Sequence, residues 1–408
     1  MAGVKPINFG IIGLGAGTMN MIPELSTNPN ANIVAAADTR KDALDRFTRD
    51  FGGRTYNNAE DLCKDPNLEI VYVMTPDEMH AEHAILAAEH GKQVILDKPM
   101  GLNLDQCDAV IEATQRNGTR VIVGHSQSLD LTNLKIAEIA NSGQLGKVTM
   151  IHTMFYSDWI YRPRAQEELV QERGGSIVRR QGPIQVDIVR MIGGGKVRSV
   201  RANTNVVDSN RPIDGSFNAF LDFENGATAT IIYDGYGHFN SAELTYGYTL
   251  QGFPMDPDLH IASRNKIEGF ASLQEEELFK DTTRYGGSMN RPLVHNISDE
   301  RRHAFFGFTI VSCEKGDIRQ TPTGIVIYGD YENIEIPVPA GEGYNRRYCA
   351  VEVDEMCRAI RENTPVRIHD AYWGKATQEV VLGIIASSKE RQEIHMKHQV
   401  PYSGVGVS

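Results

Sequence analysis

Three glycines near the N-terminus have the spacing of a phosphate-binding turn. Gly13, Gly15 and Gly17 directly follow the apolar run from Ile7 to Ile12. Glycines at such a turn permit a tight bend and a close approach of the backbone to a pyrophosphate, which then lies at a helix N-terminus. Thr18 stands where the strict pattern has glycine or alanine. The turn by itself therefore also fits a plain connection between a strand and a helix.

An acidic residue at the end of the second apolar run extends this pattern. Asp38 stands where a carboxylate would bind the hydroxyls of an adenosine ribose. Strand, glycine turn, helix, strand and acid in this order predict a dinucleotide site. Asp38 favours NAD because it would repel the 2′-phosphate of NADP, whereas Arg40 would either pair with that phosphate or lie in solvent, so NADP stays open. The residues predicted here to bind the cofactor are Gly13, Gly15, Gly17, Thr18, Asp38, Thr39 and Arg40.

The segments that must position these residues alternate between short apolar runs and amphipathic stretches. Helical periodicity is clearest from Met79 to His90 and from Leu104 to Asn117. Strands that are buried on both faces appear as continuous apolar runs. The alternation predicts an α/β fold that starts with a Rossmann domain, a doubly wound parallel sheet, over residues 1–127. The runs predicted as strands are Ile7–Ile12, Ile33–Ala37, Ile70–Met74, Val94–Leu96 and Val121–Val123.

A strand-rich pattern follows and predicts an α+β domain over residues 128–370, with a large, mainly antiparallel open sheet. One helix is predicted within it, from Pro183 to Ile192, and residues 251–304 are interpreted as a poorly periodic excursion at its edge. Residues 371–408 are predicted to be a C-terminal helix and tail that pack back. The predicted strands are Val148–Tyr156, Val197–Val206, Ser216–Phe223 and Ala227–Tyr233, and the late helices are Tyr348–Arg361 and Trp373–Lys389.

The composition limits the class of protein. The 408 residues carry 41 Lys and Arg against 53 Asp and Glu, a formal net charge of −12. An acidic chain without a basic tract is not expected to bind nucleic acid or an anionic membrane surface. The sequence shows no transmembrane stretch, no signal-peptide pattern and only scattered cysteines. We therefore expect a soluble cytoplasmic protein with reduced cysteines, and the spacing of the histidines indicates no metal site.

Two further segments resemble a known family. One strand-like run ends in a Thr-Pro pair that His80 follows, and another ends in Asp-Lys-Pro. The combination resembles the glucose–fructose oxidoreductase / inositol dehydrogenase (Gfo/Idh/MocA) family, where glutamate is usual at Asp97. The resemblance implies that Lys98 lies beside the nicotinamide and exchanges a proton with a substrate hydroxyl; the alternative is a surface lysine after a strand. It also implies that the cofactor is bound by Thr75, Pro76, His80, Asp97 and Lys98.

Within the family the chain most resembles dihydrodiol dehydrogenases of the phthalate type, which act on carboxylated cyclohexadiene diols. Two departures from the family pattern affect proton transfer. Arg180 and Ile184 stand where the family often has an Asp/His acid–base pair, and Gln127, which is expected near the cofactor, replaces a histidine. Lys98 and His125 are therefore the predicted catalytic residues. His125 equally suits a hydrogen-bonded histidine without a catalytic role.

Arginines suggest how a carboxylated substrate would be held. A guanidinium is suited to bidentate capture of a carboxylate. For the arginines at 162 and 164 the alternative is an ion pair with Glu167 or Glu168. Arg180 replaces an acid at a position that faces the cofactor in the family. The residues predicted to bind substrate are Tyr161, Arg162, Arg164, Arg180, Gln185 and His238.

The resemblance therefore implies an NAD(P)-dependent oxidoreductase that moves a hydride between nicotinamide and a ring hydroxyl carbon, in aromatic catabolism. It also implies a homodimer or homotetramer that assembles through the C-terminal sheet. Three alternatives stay open at this point. They are a sugar or cyclitol dehydrogenase, a redox-neutral relative that keeps NAD bound, and an NAD-binding protein without catalysis.

Overall fold

A computed structural model describes residues 5–124, 127–256, 258–289, 301–339 and 348–404. The chain divides into two compact units. The first consists of the described residues of 1–125, 277–296 and 341–375, and the second of those of 126–276, 297–340 and 376–408. Two segments from the second half of the sequence therefore join the N-terminal residues in the first unit.

The first unit contains a six-stranded parallel sheet with the strand order β3-β2-β1-β4-β5-β6. Every residue of β4 and β6 is buried, as expected for strands covered on both faces. The strands are β1 Ile7–Ile12, β2 Ala31–Ala37, β3 Arg54–Tyr56, β4 Ile70–Val73, β5 Gln93–Leu96 and β6 Val121–Val123. The helices of its N-terminal part are α1 Thr18–Thr27, α2 Lys41–Phe51, α3 Ala59–Cys63, α4 His80–Glu89 and α5 Leu104–Asn117.

This strand order is the doubly wound order predicted from the sequence, so the predicted Rossmann fold is confirmed. The sequence also gave the bounds of α5, because both of its ends carry local signals. The Asn103 side chain accepts a hydrogen bond from the Gln106 amide at 2.9 Å, and Gly118 follows the last residue. The sequence analysis missed β3, whose three residues Arg-Thr-Tyr form no apolar run.

The second unit contains a nine-stranded sheet in the order β14-β13-β12-β11-β7-β10-β9-β8-β15. All pairs are antiparallel except β7 and β10, which confirms the predicted, mainly antiparallel sheet. Helices α6 and α8 pack against it. The strands are β7 Val148–Tyr156, β8 Val197–Asn205, β9 Ser216–Phe223, β10 Thr228–Asp234, β11 Phe308–Cys313, β12 Gly316–Thr321, β13 Gly324–Gly329, β14 Asn333–Pro337 and β15 Ile394–His395.

The poorly periodic stretch of residues 251–304 contains two helices that the sequence analysis did not delimit, α9 Leu259–Glu268 and α10 Leu273–Thr283. None of the ten residues of α9 is buried, so no apolar stripe marks this helix in the sequence. Of the residues in α10 only Glu276 is buried. The remaining helices are α6 Leu131–Ser142, α7 Ile177–Arg180, α8 Gly182–Ile192, α11 Tyr348–Glu362 and α12 Ala371–Glu390.

The described parts of the chain lack both a membrane-spanning helix and a cluster of metal ligands. No helix there is both long and apolar enough to cross a membrane. Those same parts contain no group of three or more His, Cys, Asp or Glu side chains placed to hold a metal ion.

Candidate functional site

The glycine turn lies between the two central strands of the parallel sheet, where the strand order reverses. Gly13 follows β1, has a φ of +92°, and donates its amide hydrogen to Ala37 O at 2.8 Å. A Cβ atom at this position would lie 2.7 Å from the carbonyl oxygen of Met74, directly after β4. Both observations require glycine here. The turn therefore lies at the switch point where open α/β sheets bind their ligands.

The remaining residues of the turn leave space for a pyrophosphate. A Cβ atom on Gly15 would meet no atom within 4 Å, so the backbone there is open to a ligand. Gly17 precedes α1, whose first turn carries no acidic side chain. Thr18 is buried, and its hydroxyl donates to Gly13 O at 3.0 Å, which explains how threonine replaces the usual small residue. An uncovered turn that precedes a helix whose first turn has no acidic side chain fits a dinucleotide phosphate.

Asp38 connects the turn to the start of α2. Its carboxylate accepts hydrogen bonds from Leu14 N at 2.7 Å and from Arg40 N at 2.8 Å. A carboxylate has about four lone-pair sites, so acceptor capacity remains for ribose hydroxyls. The Arg40 guanidinium donates through Nη2 to Leu14 O at 2.6 Å and to Tyr285 O at 3.0 Å, and Thr39 is exposed beside it. The first unit thus places the predicted ribose-binding acid next to the glycine turn.

His80 holds together the two loops at the carboxyl ends of β4 and β5. This buried side chain lies with Nε2 at 2.8 Å from Thr75 O and Nδ1 at 2.7 Å from Pro99 O. The Thr75 hydroxyl lies 3.1 Å from Nδ1 of His83, and burial lowers the pKa of that histidine. With both ring nitrogens next to backbone carbonyls, His80 positions the Thr75-Pro76 loop.

Asp97 and Lys98 follow β5 at the same edge of the sheet. Both are partly exposed, and the peptide bond from Lys98 to Pro99 is cis. The Asp97 amide donates to Val73 O at 3.0 Å. If residue 17 had a Cβ atom, that atom would lie 3.9 Å from Asp97 Oδ2, so this carboxylate adjoins the glycine turn. The other predicted catalytic residue, His125, lies outside the described residues.

The second unit contains a cavity of about 160 Å³ with Arg162 in its wall. A cavity of about 150 Å³ holds a benzene ring in an engineered protein, so this one has room for a single six-membered ring. Its wall combines hydroxyl, amide and aromatic side chains with one guanidinium. The lining residues are Phe155, Ser157, Arg162, Asn240, Ser241, Ala242, Thr245, Tyr248, Thr249, Leu250, Gln251, Met255, Leu259, Phe305 and Gly307.

Arg162 is held in place by Asp158. Its Nε and Nη2 atoms donate to the same carboxylate oxygen at 3.0 and 2.8 Å, and the Ser263 hydroxyl donates to the other oxygen. Burial alone would raise the pKa of the Asp158 carboxyl, but the Arg162 charge and the Ser263 hydrogen bond together lower it. These two contacts leave Nη1 of Arg162 without a hydrogen bond to a described residue. The guanidinium is therefore oriented, and 39% of the Arg162 side chain is exposed to solvent.

Arg162 belongs to an arginine cluster. Its other members are Arg164, Arg180 and Arg211. Arg164 is buried over the Trp159 ring, at 3.4 Å from its centroid, and donates to Trp159 O. Burial lowers the pKa of Arg164, and the charges of Arg180, Arg162 and Arg211 lower it further. An arginine stays protonated under such conditions, so a nearby anion would stabilise the cluster.

Two glutamates, Glu168 and Glu276, bind three arginines of this cluster. Glu168 pairs with Arg180 at 2.6 Å and lies 3.9 Å from Arg164. This is the ion-pair alternative that the sequence left open for the arginines. Glu276 accepts hydrogen bonds from Arg164 N at 2.6 Å and from Arg211 Nη2 at 2.7 Å. Arg162 is the cluster member that lines the cavity, whereas the other three are engaged behind it.

The other residues predicted to bind substrate or cofactor in this unit have different surroundings. Gln127 donates to Leu250 O at 3.1 Å, which joins it to the cavity wall. Gln185 is fully buried and donates to Ile232 O, and its Oε1 atom has no partner among the described residues. Tyr161 lies under the Arg264 guanidinium, and His238 is exposed, edge-on to His260. Gln127 therefore adjoins the cavity through its wall, and His238 does not line it.

Sequence reasoning missed Asp158, Glu276 and Tyr285. Asp158 lies four residues before Arg162, so its proximity had a local signal that the analysis did not use. Glu276 and Tyr285 lie 112 and 245 residues from the groups they bind, and no local pattern marks them.

Comparison with known proteins agrees with this geometry. Residues 7–125 match the family model of the Gfo/Idh/MocA oxidoreductases, described as an oxidoreductase family with an NAD-binding Rossmann fold. Residues 133–245 match the model of a C-terminal domain of the same family. One match lies in each of the two units.

Three individual proteins are similar over nearly the whole chain. A Comamonas testosteroni enzyme named 1-carboxy-3-chloro-3,4-dihydroxycyclohexa-1,5-diene dehydrogenase is 32% identical over 94% of this chain and 95% of its own. A crystal structure from Bordetella bronchiseptica, described as that of a dehydrogenase, is 34% identical with a TM-score of 0.89, over 96% and 100% of the two chains. The WlbA dehydrogenase of Bordetella pertussis, solved with NADH and UDP-GlcNAcA, is 18% identical with a TM-score of 0.70, over 97% and 99%, and shares the fold.

Proposed function

This chain belongs to the Gfo/Idh/MocA family of NAD-binding oxidoreductases, and we propose that it oxidises a ring hydroxyl of a carboxylated cyclohexadiene cis-diol. Dehydrogenase chemistry with a nicotinamide cofactor follows from the family. The substrate class is our proposal. It draws on the Comamonas testosteroni relative, whose name describes a ring with one carboxyl and two hydroxyl groups.

The observation that carries this proposal is the cavity lined by Arg162. Its volume of about 160 Å³ suits one substituted ring better than a sugar nucleotide. Arg162 offers the one guanidinium among the lining residues, and the four arginines of the cluster outnumber by one the three carboxylates that contact them, Asp158, Glu168 and Glu276. A net charge of −12 would repel an anionic substrate at long range, so a local positive field is needed to bind it.

The proposed reaction breaks the carbinol C–H bond and the O–H bond of one hydroxyl. A bound NAD supplies the hydride acceptor, held by the glycine turn and by Asp38. Lys98 takes the hydroxyl proton as the carbonyl forms, since the family's Asp/His pair is replaced by Arg180 and Ile184. Arg162 holds the carboxylate, and Asp158 positions that guanidinium.

Two finer features belong to the same proposal. We expect NAD to be preferred over NADP because the Asp38 carboxylate stands at the ribose position. We also expect a homodimer or homotetramer that forms through the open face of the nine-stranded sheet. That face exposes the apolar side chains of Phe220 and Met150, with exposed fractions of 48% and 46%. The strand register places Phe220 and Met150 on the same face. Phe220 pairs with Thr230 and Thr230 pairs with His152, which lies two residues from Met150 on β7.

The experiment measures NADH formation with three substrates: a carboxylated cyclohexadiene cis-diol, the matching diol without a carboxyl group, and myo-inositol. Each is tested with the wild-type protein and with Arg162→Gln. A lost charge-assisted hydrogen bond is worth about 1.5–3 kcal/mol, so KM for the carboxylated diol should rise roughly 10- to 150-fold in the variant. KM for the neutral diol should stay unchanged.

Arg198→Gln is the matched control. Arg198 is an exposed arginine of β8 that pairs with Asp222 and does not line the cavity. The carboxylate proposal is wrong if myo-inositol turns over best and Arg162→Gln affects all substrates alike. If the protein binds NADH but turns over none of the three substrates, the result would favour an NAD-binding protein that is not an enzyme.

A further inference from the structure

A distant segment of the chain packs against the ribose side of the cofactor site. Residues 284–287, the Tyr285 segment, lie on α2 in the first unit. The Tyr285 side chain is fully buried, its hydroxyl donates to Asp50 at 2.7 Å, and the Arg46 guanidinium lies 4.4 Å from its ring centroid. A hydrogen bond and a cation–π contact therefore fix this buried side chain against the helix.

The backbone of the segment fits α2 equally closely. Gly286 has a φ of +85°, and a Cβ atom there would lie 2.6 Å from Ala43 N and from Ala43 Cα. Only a residue without a side chain allows this approach. The position is thus built for tight contact with the first turn of α2, next to Asp38 and Arg40.

The segment determines what the Arg40 side chain can do. Nη2 of Arg40 donates to Tyr285 O at 3.0 Å and to Leu14 O at 2.6 Å. Nε lies 3.5 Å from Asp38, and Nη1 lies 3.7 Å from Asp42. Two carbonyls and two carboxylates thus surround the guanidinium. Because these groups already neutralise and hydrogen-bond the guanidinium, it would bind a 2′-phosphate only weakly.

We infer that the Tyr285 segment is a specificity element for the cofactor. By accepting a hydrogen bond from Arg40 at the Tyr285 carbonyl, it helps to keep the guanidinium from pairing with the 2′-phosphate of NADP and so favours NAD. Tyr285 acts through Arg40 and is a positioning residue. The inference rests on the preference for NAD that belongs to the proposed function, and it is independent of the proposed substrate.

The test is the ratio of the dissociation constants of NADPH and NADH, measured by fluorescence titration without substrate. Tyr285→Ala should release Arg40, which then binds the 2′-phosphate, and shift the ratio toward NADPH by on the order of tenfold or more. Asp50→Asn weakens the same anchor without removing the ring and should shift the ratio in the same direction by a smaller factor. Tyr331→Ala, at a tyrosine that is 100% exposed, is the matched control.

Arg40→Ala in both backgrounds makes the test specific. In the wild-type chain it should change the ratio by less than about threefold, whereas in Tyr285→Ala it should abolish the gain in NADPH binding. An unchanged ratio in both Tyr285→Ala and Asp50→Asn overturns the inference. A shift toward NADPH that persists without Arg40 overturns it as well. Because no substrate is present, a wrong substrate assignment would leave these outcomes unaffected.

Discussion

The two glycines at 13 and 15 should respond in opposite ways to the same substitution. Gly13→Ala places a side chain at a φ of +92° and a Cβ atom 2.7 Å from Met74 O, a backbone atom that cannot rotate away. Gly15→Ala places its Cβ in open space. The pair therefore separates the role of the turn in folding from its role in binding.

The expected magnitudes follow from these contacts. At Gly13 the left-handed backbone conformation destabilises the folded state of the alanine variant by about 1–3 kcal/mol, and overpacking by a similar amount. The lower conformational entropy of the unfolded alanine variant offsets about 0.4–1 kcal/mol of this loss. The free energy of unfolding of Gly13→Ala should fall by about 1–6 kcal/mol. Gly15→Ala should unfold at the same or slightly higher urea concentration than the wild type. It should nevertheless bind NADH at least about tenfold more weakly, since its methyl group fills the space reserved for the pyrophosphate.

Urea denaturation and NADH fluorescence titration, run on both variants and the wild type, check these values. If Gly15→Ala binds NADH like the wild type, the pyrophosphate does not approach this turn, and the cofactor site built on Gly13 to Asp38 is wrong. If Gly15→Ala is destabilised as strongly as Gly13→Ala, the open space at residue 15 is not a property of the folded protein.

Three further predictions concern single residues. Lys98→Ala should lose roughly 10²–10⁴-fold in kcat while the dissociation constant of NADH stays near the wild-type value; full turnover would assign the proton to another group. Asp158→Asn should lower the free energy of unfolding at pH 7. This difference should shrink as the pH falls below about 4 and vanish only below the pKa of Asp158 in the folded chain, which is lower than in the unfolded chain. A stability gap that persists at low pH would contradict the ion pair with Arg162. Phe220→Glu should yield a smaller species than the wild type in sedimentation velocity, and an unchanged mass would move the subunit contact away from the open sheet face.

The sequence alone determined those features that depend on neighbouring residues. The apolar run Ile7–Ile12 and the glycines after it gave the strand and turn of the cofactor site, because burial on both faces and a tight bend each leave a local pattern. The bounds of α5 followed for the same reason. The motifs at Thr75 and Lys98 sufficed to place the chain in its family, and the matching family models confirmed this.

Only the tertiary structure decided which charges meet. Arg162, Arg164 and Arg180 were all predicted from the sequence to bind substrate, yet one lines a cavity while the other two share Glu168. Tyr285 binds Arg40 across 245 residues from a stretch without periodicity. A pairing over such a distance is fixed by how the whole chain packs, and neither residue type nor spacing records it. The arrangement of cofactor and substrate groups therefore required the folded chain, whereas their chemical class did not.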